Sequence, residues 1–212
     1  MVTSVVVIGA GGFGREALDV IAAVNSMRHS LHVLGVVDSA PSSLNLNRLA
    51  ERNIEYLGTE AEWLSGESKA SYVLAVGDPA ARSSIAARWN RADRSAITIL
   101  HPSAVLGSNS LVGRGSVVCA GAQISTNVRV GEYVHVNPNA TVGHDSVLHD
   151  FVSINPGAVV SGDVVIGSGV LVGAGAVILQ RLSIGENSVV GAAACVVHDV
   201  AASAVVKGVP AR

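Results

Sequence analysis

Charged side chains are scarce in this chain of 212 residues: they make up 14% of it, and the formal net charge is -2. Aromatic residues are scarcer still, at 3%. A surface with so few cations is poorly suited to bind phosphate backbones or anionic membranes, and so few rings offer little for stacking on bases. We therefore expect no nucleic-acid partner and no insertion into a membrane.

Cysteine is also nearly absent, because the chain has only Cys119 and Cys195, which have no motif spacing. We interpret both as buried small residues of a protein in a reducing compartment, and not as a disulfide framework. The N-terminus lacks the basic segment of a signal peptide, so we expect a cytoplasmic protein. The stretch 158–179 is apolar enough for a membrane span, but its glycines and serines recur at a fixed interval that a spanning helix does not require.

The first 96 residues alternate between strand and helix patterns. Three apolar runs predict buried strands, at 4–8, 33–37 and 72–76. The segment 15–27 has helical spacing, and Pro79 fits the first turn of a second helix. Residues 39–68 are expected to hold connections with one short helix. Buried strands that alternate with helices predict a Rossmann-like α/β domain with a small parallel sheet in residues 1–96.

A glycine loop lies between the first predicted strand and the first predicted helix. Residues 9–14 read GAGGFG and match G-x-G-x-x-G in the context that this motif needs. Glycines permit close approach of a ligand to the backbone, and the helix N-terminus favours a phosphate. Asp38, at the end of the next strand, is placed to accept from ribose hydroxyls. Fewer than a hundred residues precede the repeats, so a nucleotide diphosphate fits better than a dinucleotide. A turn that only packs helix on strand remains the alternative.

The rest of the chain repeats with a period of six. Seventeen consecutive hexads, from ILHPSA to CVVHDV, have Leu, Ile or Val at the second position and Ala, Ser, Val or Leu at the sixth. A period of six describes a short strand plus a turn, and three such units close one triangular coil. The second-position side chains would fill the prism, and the small sixth residues would let the chain turn. We predict a parallel β-helix in 97–200 and a C-terminal cap in 201–212.

Residues eighteen apart lie above one another in such a coil, so the sequence can be arranged into three edges. One edge is uncharged and consists of Pro102, Ala120, Pro138, Pro156, Ala174 and Ala192. A second edge is polar and includes Asp150. The third edge includes Ser108, His144 and Gly162. His144 is therefore expected to point outward, with Gly162 directly above it, where the missing side chain leaves a backbone N–H accessible.

His144 and its neighbour Asp145 are candidates for proton-transfer chemistry. Histidine titrates near neutral pH and can accept a proton, and an adjacent carboxylate increases its basicity. The alternative is that the two residues only form a solvated turn. The role of His149, in the next hexad, stays open between a structural or solvent-exposed position and a functional one.

The two halves together resemble the bacterial sugar O- and N-acyltransferases. This family includes sialic acid O-acetyltransferases and UDP- or GDP-4-amino-sugar N-acetyltransferases. The resemblance rests on five segments: VVVIGAGGFGRE, AVGDPAAR, HPSA, TVGHD and VVKGVPAR. It implies a left-handed β-helix, a homotrimer with active sites between subunits, and acetyl-CoA as cosubstrate without a metal.

The resemblance also assigns roles to individual residues. It makes His144 the catalytic base, with Asp145 polarising it. It places the nucleotide-sugar at Gly11, Gly12, Phe13, Asp38 and Gly77, with Asn137 as an active-site asparagine. It places acetyl-CoA near Gly162, Ala174 and Ala192. The chain departs from the family pattern at three positions: many amino-sugar members have His at Phe13, some have His at Ser153, and several have Glu at Asp145. The first two differences concern the acceptor more than the chemistry.

We therefore expect N-acetylation of a nucleotide-linked amino-deoxysugar by direct attack on the thioester of acetyl-CoA. His144 would remove the proton, and the Gly162 N–H would stabilise the oxyanion. O-acetylation of a sugar hydroxyl is the nearest alternative. Carbonic anhydrases of the same fold space two zinc-binding histidines like His144 and His149, but the third expected position is Ser108. A non-enzymatic nucleotide-sensing or scaffold trimer is a further alternative. A dehydrogenase, suggested by the glycine loop alone, would have no hydride-transfer site in the repeats.

Overall fold

The computed structural model describes residues 2–212, and the chain begins with a three-stranded parallel sheet. Its strands are β1 (Thr3–Ile8), β2 (Leu31–Val37) and β3 (Ser71–Leu74), in the order β2-β1-β3. The helices are α1 (Gly12–Met27), α2 (Ser43–Ala50), α3 (Glu60–Ser65) and α4 (Pro79–Arg91). Val5 and Val7 share a buried cluster with residues of α1, whereas Val6 and Ile8 share one with residues of α4. Both faces of β1 are covered from Val5 to Ile8, which is why this part of the strand is apolar.

The segment 39–68 contains two short helices, and the expectation of a single one was wrong. Ser42 caps α2 by accepting a hydrogen bond from the Asn45 N–H at 3.2 Å. Thr59 caps α3 in a reciprocal capping box with Glu62. The pattern T-x-x-E is a sequence signal for a helix start, so the second helix was detectable.

Residues from Ile99 onward form a parallel β-helix, as predicted. Each of its strands has two residues, and in chain order they are β4 (Ile99–Leu100), β5 (Val105–Leu106), β6 (Leu111–Val112), β7 (Val117–Val118), β8 (Gln123–Ile124), β9 (Arg129–Val130), β10 (His135–Val136), β11 (Thr141–Val142), β12 (Val147–Leu148), β13 (Ser153–Ile154), β14 (Val159–Val160), β15 (Val165–Ile166), β16 (Leu171–Val172), β17 (Val177–Ile178), β18 (Ser183–Ile184), β19 (Val189–Val190), β20 (Cys195–Val196) and β21 (Val205–Val206). The strands β4 to β20 each begin one of the seventeen hexads.

Three faces enclose the β-helix. The first face consists of β4, β7, β10, β13, β16, β19 and β21. The second face consists of β5, β8, β11, β14, β17 and β20, and the third of β6, β9, β12, β15 and β18. We call the edge between the first and second faces the small corner, the edge between the second and third the histidine corner, and the edge between the third and first the polar corner.

The corners are made by the fourth and fifth residues of each hexad, and the expectation that sixth residues provide the turn was wrong. From Asn109 to Ala193, the fifth residue of every hexad has a positive φ, a conformation that favours Gly, Asn and Asp. The sixth residues are buried in the prism with the second residues, as Ala122, Val128 and Ser146 show. They are small because two inward-facing positions per strand must share one narrow interior.

The apolar stretch 158–179 contains β14 to β17 of this β-helix. No helix within residues 2–212 has the length and the apolar character needed to cross a bilayer.

The N-terminal sheet and its helices pack on the first face of the β-helix. The first residues of four strands on this face are buried, although they point away from the prism: Ile99, Val117, His135 and Ser153. Ile99, Val117 and Cys119 belong to the same buried cluster as Val5 and α1. The histidine corner is therefore the edge of the prism that lies opposite the covered face.

Candidate active site

His144 and Asp145 form an ion-pair geometry at the histidine corner. They are the fourth and fifth residues of one hexad, and Asp145 has a φ of 62°, which Asp tolerates better than most residues. The His144 side chain points outward and is 61% exposed, with its Nδ1 2.7 Å from Asp145 Oδ2. A carboxylate can only accept, so Nδ1 is the donor and Nε2 of the neutral ring keeps a lone pair. This arrangement can take a proton from a substrate.

Asn127 holds the carboxylate in place from the coil below. Its Nδ2 donates to Asp145 Oδ1 at 2.9 Å. This hydrogen bond and the one from His144 lower the pKa of Asp145 below its ordinary value. The carboxylate is therefore charged at neutral pH. Sequence reasoning missed Asn127, although its position eighteen residues before Asp145 was a detectable signal.

Gly162 lies directly against the imidazole, as the arrangement into edges predicted. A Cβ atom on Gly162 would be 2.5 Å from His144 Nε2, so any side chain there would displace the ring. The Asp163 N–H donates to the His144 carbonyl at 2.8 Å, and this hydrogen bond joins the two stacked coils. An open cleft of about 380 Å³ lies over the pair, with Gln180 and Arg181 at its far side.

The glycine loop and the ends of the sheet strands meet at one edge of the N-terminal sheet. Because the three strands are parallel, their carboxyl ends bring Gly11, Gly12, Asp38 and Gly77 to the same side. The Ala10 N–H donates to Asp38 Oδ2 at 2.7 Å, which ties the loop to β2. A Cβ atom added to Gly11 or to Gly12 would meet no other part of the protein within 4 Å, so open space lies beside both residues. A ligand has room to approach this backbone.

Glu60 was missed by sequence reasoning and lies beside this loop. It is buried and accepts from Trp89 Nε1 at 3.0 Å, from Arg88 and from Ser39. A cavity of about 240 Å³ runs between Glu60 and Asp38. An isolated Glu in a helix carries no sequence signal for burial, because its three partners lie in other segments.

Phe13 and Asn137 lie where the glycine loop meets the β-helix. The Phe13 ring stacks on His135 with centroids 4.2 Å apart. His135 is buried, and its Nε2 donates to the Leu74 carbonyl at 3.0 Å. Burial lowers the pKa of His135 well below its ordinary value, with the charge of Arg82 adding to the effect, so the ring is neutral. Asn137 Nδ2 donates to the carbonyl of Ile154 at 3.1 Å.

The candidate residues fall into three groups that a single chain does not bring together. Ala174 and Ala192 are exposed and stacked at the small corner, where the Ala193 N–H donates to the Ala174 carbonyl at 2.9 Å. Gly162 lies with His144 at the histidine corner, across the second face. The glycine loop lies over the first face, opposite His144. Catalysis by all three groups would need more than one chain.

Two other kinds of chemistry find little support in the side chains. Burial raises the pKa of the Cys119 thiol to about 12, so this cysteine is not a thiolate nucleophile. Within residues 2–212, no three His, Cys, Asp or Glu side chains are grouped so that they could hold a metal ion.

Comparisons with known families match both halves of the chain. The PglD N-terminal domain matches residues 4–89, and the bacterial transferase hexapeptide repeat matches residues 145–180. A GDP-perosamine N-acetyltransferase of Escherichia coli O157:H7 is 30% identical over 145 residues, which is 68% of this chain. The match spans only 63% of the length of that relative.

Two solved structures are similar over the whole chain. PerB from Caulobacter crescentus, in complex with CoA and GDP-perosamine, has a TM-score of 0.88 and 27% identity, and the match covers 100% of this chain and 97% of that one. The acetyltransferase domain of PglB from Neisseria gonorrhoeae FA1090, in complex with acetyl coenzyme A, has a TM-score of 0.87 and 29% identity, with 100% and 99% covered.

Proposed function

We propose, from the resemblance to the sugar O- and N-acyltransferases that these matches confirm, that the chain is an acetyl-CoA-dependent N-acetyltransferase. Its acceptor would be the amino group of a nucleotide-linked amino-deoxysugar. The solved structure with bound CoA and GDP-perosamine, and the relative described as a GDP-perosamine N-acetyltransferase, support this choice over O-acetylation.

The observation that carries the proposal is the His144–Asp145 pair at the histidine corner. The amine attacks the thioester carbonyl, and Nε2 of His144 takes the proton as the C–N bond forms. The proton ends on the imidazole, which the charged Asp145 stabilises, and the CoA thiolate leaves. The Gly162 N–H has no acceptor within residues 2–212, and we assign it to the oxyanion of the tetrahedral intermediate.

The two substrates would occupy different parts of the chain. We place the nucleotide diphosphate at Gly11 and Gly12, with Asp38 and Gly77 beside it, because the N-terminus of α1 favours an anion there. Phe13 and Asn137 would line the sugar end of this site. Acetyl-CoA would lie along the β-helix, with its extended arm near Ala174 and Ala192 and its thioester near Gly162.

A homotrimer would complete this site. The N-terminal sheet covers the first face, so His144 needs the nucleotide site of a neighbouring chain. Large apolar side chains are exposed on both faces that flank the histidine corner: Val105 and Val159 on the second, Leu111 and Val165 on the third. Such faces are suited to packing against copies of the same chain. The free cysteines fit a reducing compartment, and we place the enzyme in the cytoplasm.

Replacing the base tests the proposed function. We expect His144→Ala to lower turnover by about 100-fold or more, because general-base catalysis contributes at least this much. The assay is thiol release from acetyl-CoA with a panel of nucleotide-linked amino sugars and free sialic acid as acceptors. The control is His149→Ala, an exposed histidine one hexad later, which should keep full turnover.

Three outcomes would contradict the proposal. Full activity of His144→Ala would exclude His144 as the base. Acetyl transfer to sialic acid alone would indicate O-acetylation. Absence of CoA binding by the native chain in calorimetry would favour a non-enzymatic role.

A further inference from the structure

Arg82, in the segment AVGDPAAR, is a fully buried cation that the proposed mechanism does not use. Its side chain has 0% exposure and lies between the N-terminal sheet and the β-helix. Two of its hydrogen bonds reach the loop after β3, where Nη1 donates to the carbonyls of Val76 at 2.9 Å and Gly77 at 3.0 Å. Gly77 belongs to the proposed nucleotide-sugar site.

The other donors of Arg82 reach the β-helix. Nε donates to the Tyr133 carbonyl at 2.9 Å. Nη2 donates to the Phe151 carbonyl at 2.6 Å and to Ser153 Oγ at 2.9 Å. One guanidinium therefore joins the nucleotide loop to two successive coils. A lysine cannot reproduce this fork, because its three N–H donors all belong to one nitrogen atom, whereas those of arginine are spread over three.

No carboxylate within residues 2–212 hydrogen-bonds to this guanidinium, and all its acceptors are neutral. Burial lowers the pKa of Arg82 to about 9, so it is still charged at neutral pH. The charge of Asp78 offsets part of the effect of burial, but a buried charge without a hydrogen-bonded carboxylate is still expensive, and a well-packed apolar residue is often as stable or more stable. The cost indicates that the fork geometry serves a purpose beyond stability.

The β-helix is also altered where Arg82 meets it. The fifth residues of the polar corner are Gly115, Tyr133, Phe151, Gly169 and Asn187. Tyr133 and Phe151 have φ values of 55° and 62°, a conformation that is unfavourable for aromatic residues. Their rings stack with centroids 5.2 Å apart, and the Tyr133 hydroxyl lies 3.0 Å from that of Tyr72 on β3. Aromatic residues replace Gly and Asn only in the two coils that accept from Arg82.

We propose that Arg82 is a positioning residue for the acceptor. Its guanidinium fixes the 76–77 loop on the coils at Tyr133 and Phe151. The nucleotide-sugar, held by that loop, then presents its amine to the histidine corner of a neighbouring chain in one orientation. This inference rests on the proposed function.

The test is Arg82→Lys, which keeps the charge and loses the fork. The matched control is Arg91→Lys, an exposed arginine on the same helix. Two acceptors are compared: a nucleotide-linked amino sugar, and the same amino sugar without its nucleotide, which can use His144 and acetyl-CoA without the nucleotide loop. For both acceptors, only the transfer above that of His144→Ala is counted. We expect Arg82→Lys to lower kcat with the nucleotide-linked acceptor by about 10-fold or more, because small misplacements of a reacting group are costly. Transfer to the free amino sugar and the KM for acetyl-CoA should stay within about twofold of the native values.

A second measurement does not depend on activity. Hydrogen exchange in peptides that cover residues 75–79 and 150–154 should be faster in Arg82→Lys than in the native chain, and unchanged in Arg91→Lys. Equal losses with both acceptors would reduce Arg82 to a structural role and overturn the proposal. Unchanged exchange in both peptides would overturn it as well. If the native chain transfers acetyl to no acceptor, the proposed function fails, and the role of Arg82 in presenting an amine fails with it. Faster exchange in Arg82→Lys would then show only that Arg82 holds the loop.

Discussion

At the scale of single residues, a column of four residues explains the chemistry that the histidine corner can perform. Asn127 holds Asp145, Asp145 holds Nδ1 of His144, and Gly162 leaves room for Nε2. Asp145 also provides the positive φ that the corner needs, so a single residue serves both the turn and the base. The positive φ of this fifth position favours Gly, Asn and Asp alike, so the turn does not by itself require an acid there.

The charge of Asp145 can be tested apart from its conformation. Asn tolerates positive φ as well as Asp does, so Asp145→Asn should fold normally and keep the turn. Loss of the charge leaves the protonated imidazole unstabilised, and we expect turnover to fall by about 10-fold or more. Asp93→Asn is the matched control, since Asp93 is exposed and also has a positive φ, of 54°. Unchanged turnover in Asp145→Asn would leave the carboxylate with a role in the turn only.

At the scale of elements, the glycine loop combines two different requirements for glycine. Gly14 lies in α1 against the Gly9 carbonyl, so close that a Cβ atom would overlap it. Gly12 opens the same helix, but a Cβ atom there would meet open space. The motif G-x-G-x-x-G therefore contains one glycine that packs the helix on the strand, and one beside the open space where we propose the ligand.

The two glycines should respond differently to the same substitution. Gly14→Ala forces α1 away from β1, and we expect the free energy of unfolding to fall by about 1–3 kcal/mol. Gly12→Ala should leave stability unchanged or raise it by up to about 1 kcal/mol, since Ala favours a helix. Its affinity for a nucleoside diphosphate should fall, because the methyl group occupies the ligand's space. Urea unfolding and calorimetry measure the two quantities. If Gly12→Ala binds the nucleoside diphosphate with the native affinity, the nucleotide does not bind at this loop.

Sequence reasoning succeeded where an element repeats and failed where elements meet. The six-residue period determined the register from β4 to β20, because the stacked strands there are eighteen residues apart, and this placed Gly162 against His144. The period does not extend to β21, since Val189 pairs with Val205. The contacts of Arg82 could not be predicted, since most of its acceptors are backbone carbonyls, which every residue has. Glu60 was missed for a similar reason, because its partners lie in other segments. The second helix of 39–68 differs, since its capping box, Thr59 with Glu62, was visible in the sequence. The domain boundaries at 96 and 200 and the substrate residues stay predictions.

At the scale of the whole molecule, the position of the N-terminal sheet determines which surfaces remain for other chains. It covers the first face and leaves the second and third faces, with His144 between them, open. Val105 is 52% exposed and Leu111 is 60% exposed on these two faces. The proposed base and the proposed nucleotide site lie on opposite sides of one prism, so we expect a complete active site to need a second chain.

Mixed trimers test whether the site is shared. His144→Ala removes the base, and Gly12→Asp adds an anion where we place the diphosphate, at a helix N-terminus that tolerates Asp. Each variant alone should be nearly inactive. Co-expression should restore activity, because about one quarter of the sites in randomly mixed trimers combine an intact base from one chain with an intact loop from its neighbour. Sedimentation should show trimers for each variant and for the mixture. Two separately purified variants, combined without chain exchange, should stay inactive. If the co-expressed variants are no more active than this control, the base and the nucleotide site belong to one chain, and the histidine corner does not face a neighbouring sheet.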